Sequence, residues 1–467
     1  MPSRREQIQS YQYLMQRVVN AFVAGQTDPP LSPMRRMAGA GFASVMIAAL
    51  IVAVVGVVGL VKHGGNTSWR DQRAVIIEKE TGTRYIYRDD TLYPVANYVS
   101  ALLALGGSES TVAVSRESLV GVARGPLIGI VGAPDALPPA GRILGAPWSV
   151  CAQPDVDSSG ASTATSWLWA GRAPQDATHL GQDGLVVRLR TGDTTYLVWN
   201  GHRFPIDKRT LGALGADQAP QLVVDEAWLD AVPQGQSITP IGLADRGRPS
   251  TAVRGALIGQ IYAATGGGTT QYYLVRPGDL LPLTAVEEQA ELANPATADA
   301  YPGATPTVRQ VNPAEIAGVR KASRPARTDE TAPAQVPNLA RPDTGSAVCA
   351  EYRDGTSTPE LVYDAGSAPV GGITTGGSET AAVVDRVVVP PGYGAVVRSV
   401  SSADSGVGTL FLVTDEGKRY PVPDAQQLSW LGYGSVKPLD LPSWLVSRIP
   451  GGPSLDPADA ALPVSGS

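Results

Sequence analysis

The sequence predicts an α+β chain: an N-terminal amphipathic helix, one transmembrane helix, and an elongated extracytoplasmic domain of four hairpin-and-helix repeats around a central β-rich domain. Three observations lead there: an uncharged apolar run at residues 38–61, a different charge balance on its two sides, and a strand-turn-strand pattern that recurs four times. A length of 467 residues allows several compact units. Gly (52) and Pro (39) are plentiful, which points to many turns without reaching the level of disordered or collagenous chains. A net charge of −6 argues against a nucleic-acid partner, because phosphate contacts need surplus Lys and Arg. With 3 His and 2 Cys there is little material for a metal site, and no cofactor is expected.

Ile8, Tyr11, Met15, Val18 and Phe22 recur at spacings of 3, 4, 3 and 4, which lines one face of a helix. Gln7, Gln12, Gln16 and Arg17 take the other side, and Gly25 with Asp28-Pro29-Pro30 ends the helix. Such a helix lies on a membrane surface or docks on a partner.

Residues 38–61 follow without a charge. At about 1.5 Å per residue this run makes roughly 36 Å of helix, enough to cross a hydrocarbon core of about 30 Å with some tilt. A buried core helix would show a polar stripe, and a signal peptide would carry a shorter apolar region and a small-residue cleavage site. Arg35 and Arg36 stand directly before the run and only Lys62 follows closely, so the positive-inside rule places the N-terminus in the cytoplasm. Up to His63 there are six cations and two anions, which leaves 31 cations and 41 anions for residues 64–467. The outer part is therefore acidic. Cys151 and Cys349 both fall in it, on the oxidising side, and a disulfide between them would close a 198-residue loop. In the chain-entropy model such a loop contributes about 5 kcal/mol. A metal pair is the alternative, but neither Cys has a C-x-x-C partner or a neighbouring His.

The recurring pattern covers residues 83–95, 194–206, 270–283 and 409–422. A β-rich strand meets a turn (Asp89-Asp90, Asn200-Gly201, Pro277-Gly278 or Glu416-Gly417), then an apolar-Pro-apolar triplet at Pro94, Pro205, Pro282 or Pro421. Tyr85, Tyr196 and Tyr273 each precede their Pro by nine residues, as a hairpin of fixed length requires. A helical stretch follows each Pro, then a strand, then Ser115, Asp225, Asn312 or Asp440 as the N-cap of a short apolar helix. The prolines lie 111, 77 and 139 residues apart, too irregular for a solenoid. The two long gaps contain the two Cys, so both insertions are assigned to one central domain. Residues 124–129 and 254–259 agree at five of six positions and read as equivalent strands of that domain. The expected divisions are 1–37 cytoplasmic helix, 38–61 span, 74–123 first repeat, 124–184 central domain, 185–248 second repeat and 251–325 third repeat. A linker and the rest of the central domain (326–385), the fourth repeat (386–450) and a flexible tail (451–467) complete them. The Pro-rich stretch 321–347 reads as a surface linker and the tail as frayed.

Catalytic patterns are scarce. No G-x-x-x-x-G-K-[ST] or G-x-S-x-G occurs; Gly417-Lys418 sits in a repeat turn, and Gly266-Gly267-Gly268 reads as a plain turn. His202 reads as an exposed turn residue, and His179 has no triad partners in its neighbourhood. Trp228 and Trp444 read as helix core, and Trp167 and Trp169 as a half-buried strand.

The chain resembles the EccB family, a membrane component of the type VII (ESX) secretion system of actinobacteria. The likeness rests on REQIQSYQYLMQRVVNAF, DPPLSPMRR, RYIYRDDTLYPVANYVSALL, RGPLIGIVGAPDALPP, the WSVC ending at Cys151, and QYYLVRPGDLLPL. It implies a non-catalytic structural subunit of the inner-membrane export complex, forming its periplasmic assembly platform with EccC, EccD and EccE and with other copies of its own outer domain. It also implies that Cys151 and Cys349 pair, that Pro94, Pro205, Pro282 and Pro421 sit in the repeat cores, and that the residues 8–22 face binds a partner. Two alternatives follow from the same likeness. The repeats are similar to a phage-lysin wall-binding module, which would make a peptidoglycan anchor, and ATP hydrolysis has been ascribed to the family.

Overall fold

Glu6 sets the start of α1 (Arg4–Ala24): its Oε2 accepts from the Ser3 backbone N–H at 2.7 Å. Gly25 ends the helix in the left-handed conformation, at φ 61°, where a residue without Cβ carries no steric penalty. The Asp28-Pro29-Pro30 stop lies outside the described residues. These are 3–25, 33–61, 67–71, 73–107, 110–156, 158–192, 194–343, 345–354, 358–367, 371–375, 383–401 and 407–464 of this computed structural model. The apolar run lies in α2 (Pro33–Val61), whose stretch Ala38–Val57 is long and apolar enough to cross a membrane and is wholly exposed.

Beyond residue 67 the described residues form five sheets, and four of them share one connectivity. The first is built from strands Ala74–Glu78, Arg84–Arg88 and Thr91–Pro94, helix Tyr98–Leu105 and strand Ser110–Val114. The second uses Leu185–Leu189, Thr195–Trp199, His202–Ile206, helix Lys208–Ala213 and Gln221–Val224. The third has Ile261–Gly266, Thr269–Val275, Leu280–Leu283, helix Ala285–Ala293 and Arg309–Val311. The fourth has Gly394–Val400, Thr409–Thr414, Arg419–Val422, helix Ala425–Trp430 and Leu439–Pro442. In each, the entry strand pairs antiparallel with the hairpin and parallel with the last strand. Sequence reasoning missed all four entry strands. They occupy the sheet interior, so they carry apolar runs such as AVIIE rather than the alternation that marks a half-buried strand.

The hairpins keep a common register. Pro94, Pro205 and Pro282 stand opposite Tyr85, Tyr196 and Tyr273, and Pro421 stands opposite Phe411. A later segment then covers the free edge of each Pro-bearing strand, by the parallel pairs Leu92↔Arg124, Arg203↔Gln234, Leu280↔Lys321 and Arg419↔Gly451. The next residue in each segment is Gly125, Gly235, Ala322 or Gly452, and it donates its N–H to the strand at 2.8–2.9 Å. A Cβ on any of the three glycines would come inside 3.0 Å of the ring of Tyr93, Phe204 or Tyr420. In the third sheet that ring is replaced by Leu281, and Ala is accommodated. Gly125→Ala is accordingly expected to cost about 1–3 kcal/mol through overpacking. Urea unfolding of Gly125→Ala, Tyr93→Leu and the double variant should show the second change relieving the first, whereas strictly additive losses would break the proposed contact.

The fifth sheet has seven strands, in the order Ile373–Thr374, Arg386–Val388, Ser162–Trp169, Trp148–Val156, Ala347–Tyr352, Glu360–Ala365 and Thr178–His179. One of its faces (Trp148, Val150, Leu168, Val348) shares a core with the second sheet through Val198 and Trp228 and with the fourth through Val413 and Leu445. The first sheet packs on the fourth, Val99 and Leu102 meeting Leu412 and Leu428. The third packs on the second, with Val286 among Leu197, Phe204 and Leu211. The spatial sequence is therefore third, second, central, fourth, first.

Several local expectations need correction. Residues 124–129 cover the edge of the first sheet, and 254–259 form turns entering the third, so neither is a strand of the seven-stranded sheet. Segment 321–343 is no loose linker. Ala334 O accepts from Ala285 N at 3.0 Å, Ala340 N donates to Gly184 O at 2.8 Å, and Gly184 N donates to Asn338 O at 2.6 Å. Residues 451–464 are not frayed, because Leu455 and Ala460 are fully buried and Val464 N donates to Leu127 O at 2.8 Å. Of the four N-cap expectations, Asp225 holds, accepting from Trp228 N at 3.0 Å. Ser115 makes no side-chain cap bond, Asn312 opens a turn, and Asp440 lies within a strand, its carboxylate taken by Arg398 at 2.6 and 2.8 Å. His202 is buried at a strand start rather than exposed in the turn.

Candidate functional site

Two regions place chemistry-bearing residues together: the helices around the span, and the joint where the central sheet meets its neighbours. On α1, Ile8, Tyr11, Met15, Val18 and Phe22 form the face expected from their spacing, and they are 51–88% exposed. No described part of this chain covers that apolar face. Water solvates such a stripe poorly, and it lies directly before α2, the helix long and apolar enough to cross a membrane. Arg35 and Arg36 fall in the first turns of α2, and their side chains lie outside the described residues.

At the centre of the five-sheet body, Cys151 and Cys349 face each other on paired strands and are joined by a disulfide. Both are wholly buried, in a small cluster with Trp167, Trp169 and Val362 on the sheet face opposite the main core. The disulfide joins two paired strands whose cysteines are 198 residues apart in sequence, so those strands stay tethered at that point even when the ladder between them opens.

Polar groups fix the same joint. The Tyr352 hydroxyl donates to Ala231 O and accepts from Trp444 Nε1 at 3.1 Å, tying the central sheet to the short helices after the second and fourth sheets. Complete burial pushes that phenol well above its ordinary range. Asp230 takes Arg203 at 2.9 Å and Arg448 at 3.3 Å, a bridge from the second sheet's end to the fourth's. Ser166 Oγ donates to Asp225 at 2.5 Å, and Ser166 N donates to Asp385 at 2.8 Å. Burial raises the Asp225 carboxyl, opposed by its hydrogen bonds to Ser166 and Trp228. In these contacts the side chains pair with one another or with backbone groups of this chain. Sequence reasoning missed Tyr352, Ser166, Asp385, Asp230 and Arg448, since partners tens to hundreds of residues apart leave no local spacing to detect.

The glycine runs behave as turns. Gly267 and Gly268 have φ of 61° and 80° between two paired strands, and Gly417-Lys418 also joins two strands. Neither run precedes a helix, whereas a phosphate-binding loop aims its amides from a helix start. Among the described residues no group of three His, Cys, Asp or Glu side chains is placed to hold a metal ion. His179 lies exposed at a strand end, 2.6 Å from Glu360. An open cleft of about 780 Å³ lies between the helices Tyr98–Leu105 and Ala425–Trp430 and is lined by Tyr98, Leu137, Trp430, Gly106 and Gly107 among others.

Comparison with known proteins agrees with this arrangement. The chain is 28% identical to the ESX-3 secretion system ATPase EccB3 of Mycobacterium tuberculosis, over 98% of this chain and 89% of that protein. It is 25% identical to the protein of the same name from Mycolicibacterium smegmatis, over 98% and 90%. Among solved structures, the EccB3 dimer from the ESX-3 core complex superposes with a TM-score of 0.61 at 22% identity, covering 83% of this chain and all of that one. A chain of the intact ESX-5 inner membrane complex gives 0.60 at 22% identity, covering 100% of this chain and 96% of that one. These likenesses establish a shared fold that includes the apolar helix. With its family model matched from residue 1 to residue 465, the chain belongs to the family described as type VII secretion system ESX-1, transport TM domain B.

Proposed function

We propose that this protein is a non-catalytic structural subunit of a type VII (ESX) inner-membrane export complex. In this reading α1 lies in the cytoplasm, α2 crosses the membrane once, and the outer body serves as the periplasmic assembly platform. The observation that carries it is the exposed apolar face of α1 immediately before an exposed apolar span, both attached to a multi-sheet body. Arg35 and Arg36 supply the charge asymmetry that keeps the N-terminus inside. The outer body is read as four repeats around a disulfide-closed central domain, with Pro94, Pro205, Pro282 and Pro421 at equivalent hairpin positions. Other ESX membrane subunits, EccC, EccD and EccE, are the partners, together with further copies of the outer body; relatives are named for a dimer and for an inner membrane complex.

Relatives also carry the word ATPase in their names. The strand-to-strand position of both glycine runs supports a scaffold over a nucleotide site. Deleting residues 1–30 tests the scaffold reading. The shortened protein should stay in the membrane fraction yet lose its co-purifying ESX subunits, and undiminished co-purification would refute the role given to α1.

A further inference from the structure

Ser166, on the central-sheet strand Ser162–Trp169, stands between two carboxylates that reach it from different parts of the chain. Asp225, the N-cap of the helix Glu226–Ala231 that follows the second sheet, accepts from Ser166 Oγ at 2.5 Å and from Trp228 N at 3.0 Å. Asp385 stands one residue before the parallel ladder that begins at Arg386↔Trp167, and it accepts from Ser166 N at 2.8 Å. Its Oδ2 lies 3.3 Å from Ser166 Oγ, and its own N–H donates to that oxygen at 3.2 Å. The same segment is tied to the chain after the fourth sheet, since Val384 N donates to Arg448 O at 3.1 Å. Ser166 is wholly buried and Asp225 only 6% exposed, whereas Asp385 reaches solvent. A hydroxyl has one hydrogen to donate, so Ser166 serves one carboxylate at a time.

We propose that these three residues form a proton-operated latch: one proton taken up by Asp225 adds a hydrogen bond to the joint between the second sheet, the central strand and the segment at Asp385. The proton comes from solvent and settles on Asp225 Oδ2, which then donates to Ser166 Oγ. The serine hydrogen, released from Asp225, turns to Asp385 Oδ2. Ser166 Oγ keeps the bond from Asp385 N, so its hydrogen and both its lone pairs are used. The charged groups around the site act in both directions. Arg190, just after strand Leu185–Leu189, and Arg448 favour the Asp225 anion, and Asp385 disfavours it. On the helix itself, Glu226 is engaged by Thr191, and Asp230 by Arg203 and Arg448. Burial is the largest influence, and it raises the Asp225 carboxyl above its ordinary range. A group that binds its proton more readily folded than unfolded favours the fold as pH falls through its folded value and opposes it above. The window therefore runs from that raised value down to about 4, the ordinary value of an Asp carboxyl. The inference rests on side-chain geometry and not on the secretion reading.

The test uses the full-length protein in mild detergent, between about pH 8 and about pH 4.5. Asp225→Asn keeps a cap oxygen for Trp228 N and offers an amide donor to Ser166, so it stands for the protonated form at every pH. Its thermal midpoint should lie about 2 °C above the parent's at the alkaline end, and the gap should close as the pH falls. A gap that does not change with pH, or a variant less stable than the parent at the alkaline end, would overturn the proposal. Hydrogen exchange over residues 383–389, corrected for its intrinsic pH dependence, places the effect in the chain. In the parent it should slow about threefold on acidification, the worth of roughly one net hydrogen bond. Ser166→Ala leaves Asp225 its proton but removes the hydroxyl that passes the change to Asp385, so the same residues should not respond. Equal slowing in that variant would also overturn the latch. Should either variant fail to fold, the parent decides, because exchange over 383–389 that stays constant on acidification contradicts the added bond.

Discussion

Full-length protein carrying both Cys151→Ala and Cys349→Ala is expected to lose about 3–5 kcal/mol of stability in its multi-sheet body. Two terms act in the same direction. The disulfide closes 198 residues, which restricts the unfolded chain far more than a local clip would. Its sulfurs also fill a buried cluster against Trp167 and Trp169, so their removal leaves unfilled space in a packed interior. A serine pair should fare worse than the alanine pair, because it buries two hydroxyls among apolar neighbours. Urea titration followed by tryptophan fluorescence reads the loss directly. Because both cysteines are wholly buried, reductant added to the folded protein should act only as fast as the central sheet opens. An alanine pair as stable as the parent would mean that the strand ladder alone holds the two insertions together.

Arg246→Met is expected to be comparably damaging, at about 3–5 kcal/mol, because it strands a buried carboxylate. The Glu291 side chain has no exposure and that of Arg246 only 5%. Arg246 donates to Glu291 Oε2 at 2.8 Å, to Ile241 O at 3.0 Å and to Thr297 Oγ1 at 3.2 Å, and Glu291 also accepts from the Ile241 N–H. This network fastens the chain at 241–246 onto the helix Ala285–Ala293. Removing the cation leaves the anion with no counter-charge in a site that water does not reach. Arg246→Met combined with Glu291→Gln should recover a large part of the loss, since an amide keeps a hydrogen-bonding oxygen without the charge. Hydrogen exchange over residues 285–293 would localise the effect. A single substitution no worse than the double would show the pair to be dispensable.

The parts of the fold that sequence revealed are those with a local signature. The 3-and-4 spacing from Ile8 to Phe22 and the uncharged run at 38–61 correspond to α1 and α2. Turn dipeptides marked the hairpins: Asn200 and Gly201 have φ of 47° and 72°, and Asp89 and Asp90 have 51° and 56°, the paired positive values of a type I′ turn. The two cysteines, the only pair in the sequence and both after the apolar run, indicated their own pairing. What stayed hidden depends on long-range contact. Arg398 claims Asp440 from the neighbouring strand, which turns an apparent helix cap into a strand residue. Residues 321–343, rich in Pro, and 451–464, rich in Pro and Gly, look loose in isolation, yet their backbone groups pair with strand edges that the sequence does not announce.

One missed feature did leave a trace. Tyr93, Phe204 and Tyr420, each directly before its Pro, are followed 32, 31 and 32 residues later by Gly125, Gly235 and Gly452. In the third copy both members of the pair change, to Leu281 and Ala322, and the interval grows to 41. A ring that needs a missing Cβ explains why both change together. Sequence reading instead aligned 124–129 with 254–259, because five matching letters outweighed a pairing visible only once strands are placed side by side. The candidate site was legible only on its membrane side. The central contacts of Tyr352, Asp230 and Ser166 join residues from separate sheets, and no periodicity links them.

The most direct test of the scaffold reading is the mass and subunit composition of the native particle extracted from membranes in mild detergent. The account predicts that this protein is recovered in a particle containing the other ESX membrane subunits, with a mass several times that of one chain. Quantitative recovery as a free monomer or self-dimer, while those subunits travel together without it, would contradict the account.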